Sequence, residues 1–390
     1  MRILALALVL SAAVAAVPEA NAADPTCNAW KPKTIRSGLG SLENLEFDGT
    51  GGLLLSASGP GAIERMTPDG TVTTLIPDVN APGGQRRIGR TLYFNTGDAA
   101  QSGLAGTADG TLERFDLDTG KRTTFATGLT MPNGLAVLPN GDFVASRDLG
   151  MGTGITRIPK DDPGHPQTNW AQIDDQNGMA VDPTGTFLYA VQTFTADSAV
   201  YRIRIADPSD KEVVATLAGP TPKGLDDMTI DSAGVLYVAA NGTGEVIRLD
   251  PASGEHCTIV SGLQNPSSLK FGSGPGWDPK HLYLVGFDGA VRELSPPPSS
   301  GGGGTKPRIK LSVRPRRVVA GRRVRFHFSA RARGKPLAGV RVRLGGKSAR
   351  TGRRGRAGLT LRFRHAGKRT VRATKPGYRA AHKSVRVRAR

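Results

Sequence analysis

An internal repeat limits what this chain can fold into more than any other feature. Short apolar runs recur as LLLS at 53–56, LYFN at 92–95, FVAS at 143–146, FLYA at 187–190, LYVA at 236–239 and LYLV at 282–285. Turn signals such as Pro68-Asp-Gly70, Pro139-Asn-Gly141, Pro183-Thr-Gly185 and Pro251-Ala-Ser-Gly254 separate them, and no helical period competes. A recurrence of about 40–50 residues is the span of one four-stranded propeller blade. Six copies fit. An open sandwich is the alternative, but it leaves the period unexplained.

Outer strands repeat as well. GTVTTLI, GKRTTFATG, KEVVATLAG and GEHCTIVSG each end a copy, whereas the sixth stops at VRELS. Its missing outer strand matches KPKTIRSG at 31–38, so the N-terminus is expected to close the ring and remove exposed sheet edges. The predicted fold class is all-β, a six-bladed β-propeller followed by a small Ig-like β-sandwich. Its expected divisions are a signal peptide at 1–22, a propeller at 23–295, a linker at 296–305 and an Arg-rich domain at 306–390.

The net charge of +19 is a sum of opposites. Residues 301–390 hold 30 Lys and Arg and no Asp or Glu, which leaves 22 basic against 33 acidic residues elsewhere, net −11. Such asymmetry marks a composite chain. The segment SPPPSSGGGGTKP, a Pro run and then a Gly run, marks the junction. At the other end, MRILALALVLSAAVAAVPEANA pairs one Arg with an apolar run and a small-x-small site, which reads as a secretory leader cleaved near Ala23. No later apolar run is long enough to span a membrane. The expected location is extracellular, either released or retained at the cell surface. An exported chain with two cysteines, Cys27 and Cys257, permits one disulfide, and two free thiols are the alternative.

Four of the inner strands open on a polar side chain. Glu43 precedes the first copy's strand, Asn133 the third, Asn177 the fourth and Asp226 the fifth, at gaps of 90, 44 and 49 residues. In a propeller, equivalent positions on innermost strands converge on the axis, so two carboxylates and two amides would meet there. Two carboxylates in a narrow channel call for a compensating cation, and hard oxygens suit calcium or another divalent ion. Polar turn residues satisfying backbone groups are the alternative reading. Asp98, Arg147, Asp148 and Gln192 follow strands and are weaker candidates to line the mouth, with ordinary loop polarity as their other reading. His165 lies in a polar excursion and reads as a solvent-exposed loop residue.

On these residues, the region from about 31 to 295 resembles the SMP-30/gluconolactonase/luciferin-regenerating-enzyme family of six-bladed propellers. Glu43-Asn-Leu-Glu-Phe-Asp48 is similar to the family's Glu-Gly-Pro-x-Trp-Asp opening. The Asn-Gly motifs at Asn133 and Asn177, and the run Leu225–Ile230 with Asp231, resemble its later blade motifs. The resemblance implies calcium held by Glu43, Asn133, Asn177 and Asp226, with Asp226 as base or nucleophile in the hydrolysis of a lactone or related ester. Met131 stands where sugar-acid lactonases of the family carry an arginine, and Asn44 and Asp227 replace glycines. A less polar substrate than gluconolactone is therefore equally in view. A non-catalytic binding propeller with a basic, envelope-associating tail is the alternative function.

In the tail, IKLSV, VRFHFSA, VRVRL, LTLRF and SVRVR alternate apolar with basic residues, as strands with one buried face do. The segment loosely resembles bacterial Ig-like repeats. Phe326, Phe328 and Phe363 fall on the apolar parity and are expected in its core. Its charge favours anionic cell-envelope polymers over specific nucleic acid, because aromatic stacking platforms are few. A plain spacer is the alternative.

Overall fold

The computed structural model describes residues 27, 29–150, 152, 154–217, 219–297, 307–332, 334–375 and 377–389. The expected leader at 1–22 and most of the expected linker lie outside the described residues. The chain divides into two compact units, Met1–Pro298 and Ser299–Arg390. It is almost entirely β.

The first unit contains six four-stranded antiparallel sheets. Their innermost strands are Leu42–Phe47, Gln85–Ile88, Leu135–Val137, Gln176–Val181, Leu225–Ile230 and Pro266–Phe271. Each neighbours the next, and the last neighbours the first, so the ring is closed. In the sixth sheet the outermost strand is Lys31–Arg36, paired antiparallel with Val291–Ser295. Cys27 and Cys257 are joined in a disulfide, with Cα atoms 5.9 Å apart. Just beyond that link, Trp30 N donates to Ile259 O at 2.8 Å.

Both faces of every sheet are covered, which explains why the second strands are runs of apolar residues with no polar alternation. Leu53, Leu54 and Leu55 are each fully buried. Leu54 packs with Leu92 and Phe94 of the second sheet, while Leu53 and Leu55 pack with Tyr283 and Val285 of the sixth. The same division into clusters between adjacent sheets recurs around the ring. A short α-helix, Ala100–Ala105, interrupts the β pattern and ends at Gly106 in the left-handed region, φ 69°. A helix of less than two turns leaves no period in a sequence, so the repeat pattern does not reveal it.

The second unit has two sheets. One pairs Lys310–Arg314, Arg323–Ala332, Lys335–Pro336 and Arg356–Arg362; the other has five strands ending in Ala381–Arg388. Phe326, Phe328, Val342, Val371 and Val385 form its core, with Phe363 half-buried edge-on to Phe326 at 6.0 Å between ring centroids. Along Arg356–Arg362, Leu359 and Leu361 face inward while Arg356, Thr360 and Arg362 are exposed. Among the described residues, no helix is long and apolar enough to cross a membrane.

Candidate metal and catalytic site

A backbone signature puts the polar positions in register. Ala81, Met131, Asp175, Gly224 and Asn265 have φ of 39°, 42°, 63°, 56° and 41°. Each stands two residues before Gly83, Asn133, Asn177, Asp226 and Ser267, at the entry to an innermost strand. Four of the five are non-glycine residues in a region such residues rarely occupy, at a cost of order 1 kcal/mol or more each. The turn thus recurs in five sheets. With Glu43 at the matching place in the first, it identifies one ring of equivalent positions. Gly83 and Ser267 are small, and Ser267 Oγ turns to Leu42 O at 2.7 Å. The members with a carboxylate or amide are Glu43, Asn133, Asn177 and Asp226.

The segments after the second strands reach the same end of the ring, since an antiparallel pair brings the chain back to where the innermost strand began. They add Asp98 and Asp148. Asp148 and Asp226 are buried, at 7% and 4% exposure, whereas Glu43 and Asp98 are half-buried. Asn177 Nδ2 donates to Asp148 Oδ2 at 3.3 Å, and Asn241 Nδ2 donates to Asp226 Oδ2 at 3.2 Å. Seven buried side-chain oxygens lack a partner among the described residues, and four of them belong to this cluster: Asp98 Oδ1, Asp148 Oδ1, Asn177 Oδ1 and Asp226 Oδ1.

These carboxyls feel one another. Burial, then the charges of Asp148 and Asp227, pushes Glu43 up to about 8, with the Asn133 amide opposing. Burial, then Asp175, pushes Asp148 up to about 7. Asp98 and Asp226 are raised well above the usual carboxylate range by burial and by Glu43 and Asp148. A set of mutually repelling carboxyls with orphaned, buried oxygens is a poor arrangement unless a cation or protons occupy it. The donors are hard oxygens, which suit calcium. Among the described residues no group of three or more His, Cys, Asp or Glu side chains is gathered as a metal cluster. The set here depends on amides for half of its inner donors.

The remaining candidates differ in character. Arg147 is buried, with Nε donating to Leu149 O at 2.6 Å and Nη2 to Gly103 O, so it fastens the helix Ala100–Ala105 to the segment carrying Asp148. Met131 is buried beside Gly103, where an added Cβ would lie 2.3 Å from its sulfur. Gln192 is half-buried and donates to Asp174 O at 3.2 Å. His165 is exposed and paired with Asp162 at 2.8 Å. Sequence reasoning missed Asn241 and Asp175. The signal was present for Asn241, which follows a second strand as Asp98 and Asp148 do.

Further along the axis the inner strands carry a charged group of another kind. Lys270 pairs with Glu46, and Arg86 Nη2 reaches across from the second sheet to Met179 O of the fourth at 3.3 Å. Burial alone would raise Glu46, but Lys270 and Arg86 bring it below its usual value. Burial and the neighbouring Arg86 push Lys270 down to about 8. Polar groups of opposite sign thus fill the axis on one side of the carboxyl cluster.

Residues 147–286 match the family model of the SMP-30/Gluconolactonase/LRE-like region. No curated protein matches the chain. Among solved structures, a gluconolactonase from Xanthomonas campestris is similar at 19% identity, covering 69% of this chain and 90% of that one, with a TM-score of 0.56. A calcium-binding protein, regucalcin from Agrobacterium tumefaciens, is similar at 19% identity, covering 68% and 94%, with a TM-score of 0.54. A luciferin-regenerating enzyme is similar at 13% identity, covering 68% and 95%, with a TM-score of 0.54. Residues 147–286 thus carry a partial homology to the SMP-30/gluconolactonase/LRE-like region, and these solved structures show the fold alone, all-β and propeller-like.

Proposed function

We propose that this protein is a secreted, calcium-dependent hydrolase of lactone or related ester substrates. In this reading residues 23–295 are a six-bladed β-propeller and residues 306–390 an Ig-like domain that holds the protein to anionic envelope polymers. The observation that carries it is the ring of Glu43, Asn133, Asn177 and Asp226 with its orphaned oxygens. The family match over 147–286 supports the reaction class.

Glu43, Asn133, Asn177 and Asp226 would hold the ion through side-chain oxygens. When bound, calcium supplies electrophilic polarisation of the substrate carbonyl and stabilises the oxyanion. Asp226 is the proton acceptor in this scheme. Asn241 donates to Oδ2 of its carboxylate, and Oδ1 is buried without a partner among the described residues. Burial, then repulsion from Glu43, Asp148, Asp227 and Asp98, raises Asp226 above the usual carboxylate range in the metal-free protein. Asn133 and Asn177 orient the neighbouring carboxylates and keep their separation.

The test is turnover of a broad lactone and aryl-ester panel by the full chain, with calcium added and with calcium chelated. Calcium-dependent hydrolysis supports the reading. Stoichiometric calcium binding with no turnover across the panel would replace it with a non-catalytic binding propeller.

A further inference from the structure

Large apolar side chains exposed to solvent are few in the first unit, and their placement is uneven. Among the described residues they are Leu104 at 70% exposure, Phe194 at 60%, Val213 at 46%, Ile88 at 45% and Phe287 at 41%. Single exposed apolar residues are ordinary. Here, however, Leu104, Phe194 and Phe287 each follow the second strand of a sheet, in the second, fourth and sixth sheets respectively. That places all three at the end of the ring where Glu43, Asn133, Asn177 and Asp226 lie, on alternate sheets around it. Ile88 ends an innermost strand and Val213 sits in an outermost one, so neither belongs to this group.

Short chains of contacts, hydrogen-bonded, electrostatic or along the backbone, link each of the three to the cluster. Phe194 N donates to both oxygens of Asp175, at 3.2 and 3.0 Å, and the charge of Asp175 is felt by Asp148. Phe287 N donates to Asn265 O at 3.0 Å; Asn265 Nδ2 donates to Asn241 Oδ1 at 3.3 Å, and Asn241 holds Asp226. Leu104 stands on the short helix whose Gly103 O accepts from Arg147, the neighbour of Asp148. The backbone at the three positions is therefore fixed while the side chains stay bare.

We propose that Leu104, Phe194 and Phe287 form an apolar collar at the mouth of the carboxylate ring, which binds the hydrocarbon arm of an uncharged lactone or ester. The inference rests on the hydrolase reading for the nature of the reacting group. The charge follows from the cluster itself. Four carboxyl side chains, Glu43, Asp98, Asp148 and Asp226, crowd that end of the ring, so a substrate without charge avoids repulsion there whatever cation they hold. The Arg147 guanidinium donates to backbone carbonyls, and Met131 is buried against Gly103, the neighbour of Leu104.

The experiment compares the intact chain with the variant Leu104→Ser/Phe194→Ser/Phe287→Ser on γ-lactones whose unbranched arms run from methyl to octyl. The collar predicts that KM for the intact chain falls about two- to fourfold per added methylene. In the variant that dependence flattens, so the penalty grows with arm length. An equal dependence on arm length in both proteins overturns the collar. If no lactone in the series is hydrolysed, the hydrolase reading fails on its own, and the collar is then read with N-phenylnaphthylamine, an uncharged apolar fluorophore. Dye bound by the intact chain and lost in the variant supports the collar. Dye bound equally by both, or by neither, overturns it.

Discussion

Asn44 Nδ2 donates to Asp227 Oδ2 at 2.8 Å, joining side chains 183 residues apart in the buried axis of the first unit. Ser268 Oγ donates to the same oxygen at 2.6 Å, and Asn44 Oδ1 accepts from Gln85 N at 3.2 Å. Asn44 follows Glu43, and Asp227 follows Asp226. The residues that follow the two carboxylates of the ring are therefore partners. Through Ser268 they tie the two carboxylate-bearing strands to the strand between them. A carboxylate as buried as Asp227 requires such donors.

Breaking that contact should be costly. Asn44→Ala and Asp227→Ala are each expected to lower unfolding free energy by about 1–3 kcal/mol, since each leaves a buried polar partner. The double variant should lose less than the sum of the two. Denaturant unfolding of the four proteins in the cycle checks this, and strict additivity would mean the contact contributes nothing.

The disulfide should matter to ring closure. Cys257 lies in the outermost strand of the fifth sheet, and Cys27 precedes the strand Lys31–Arg36 that completes the sixth. The link spans a sequence separation of 230 residues. Chain-entropy reasoning puts the effect of Cys27→Ser/Cys257→Ser at about 2–5 kcal/mol of lost stability. The readout is the thermal midpoint, together with faster proteolysis near residues 31–36.

Much of this architecture is written in the sequence because the constraint is repetitive. LLLS, LYFN and their counterparts are buried on both faces, so each advertises itself as a short apolar run. The segment at 31–36 carries an outer strand's composition, and its position at the chain start points to closure by the N-terminus. The site was legible where the same polar position recurs, at Glu43, Asn133, Asn177 and Asp226. Asn241 and Asp175 escaped because each acts through a neighbour, holding Asp226 or facing Asp148. The Asn44–Asp227 contact has no local signature at all. It arises only when strands far apart in sequence are brought to one axis.

Acidity should couple to metal. Without a cation, Glu43 is held near 8 and Asp148 near 7, above their ordinary values of 4.5 and 3.8. Folded-state values raised in this way contribute stability that is fully present below the unfolded values and lost as pH rises through the folded ones. The thermal midpoint of metal-free protein should therefore fall between about pH 5 and pH 8.5 on account of these groups, and saturating calcium should remove that fall. An identical pH profile with and without calcium would contradict this.

The second unit should bind polyanions with steep salt dependence. Its 30 basic residues have no acidic partners between 301 and 390, and multiple contacts to a polyanion release counterions. Deleting residues 306–390 should abolish retention on an anionic polymer column while leaving lactone turnover nearly unchanged. Retention indifferent to salt between about 0.05 and 0.5 M would contradict an electrostatic tail.

The most direct measurement is a calcium titration, by calorimetry at fixed pH, of the intact chain, Glu43→Gln and Asp226→Asn, alongside their turnover of an active lactone. The account predicts one calcium site in the intact chain, at least tenfold weaker binding in Glu43→Gln, and in Asp226→Asn lost turnover with much of the affinity retained, tenfold being about 1.4 kcal/mol. Calcium affinity unchanged by Glu43→Gln, or turnover that survives Asp226→Asn, would contradict it.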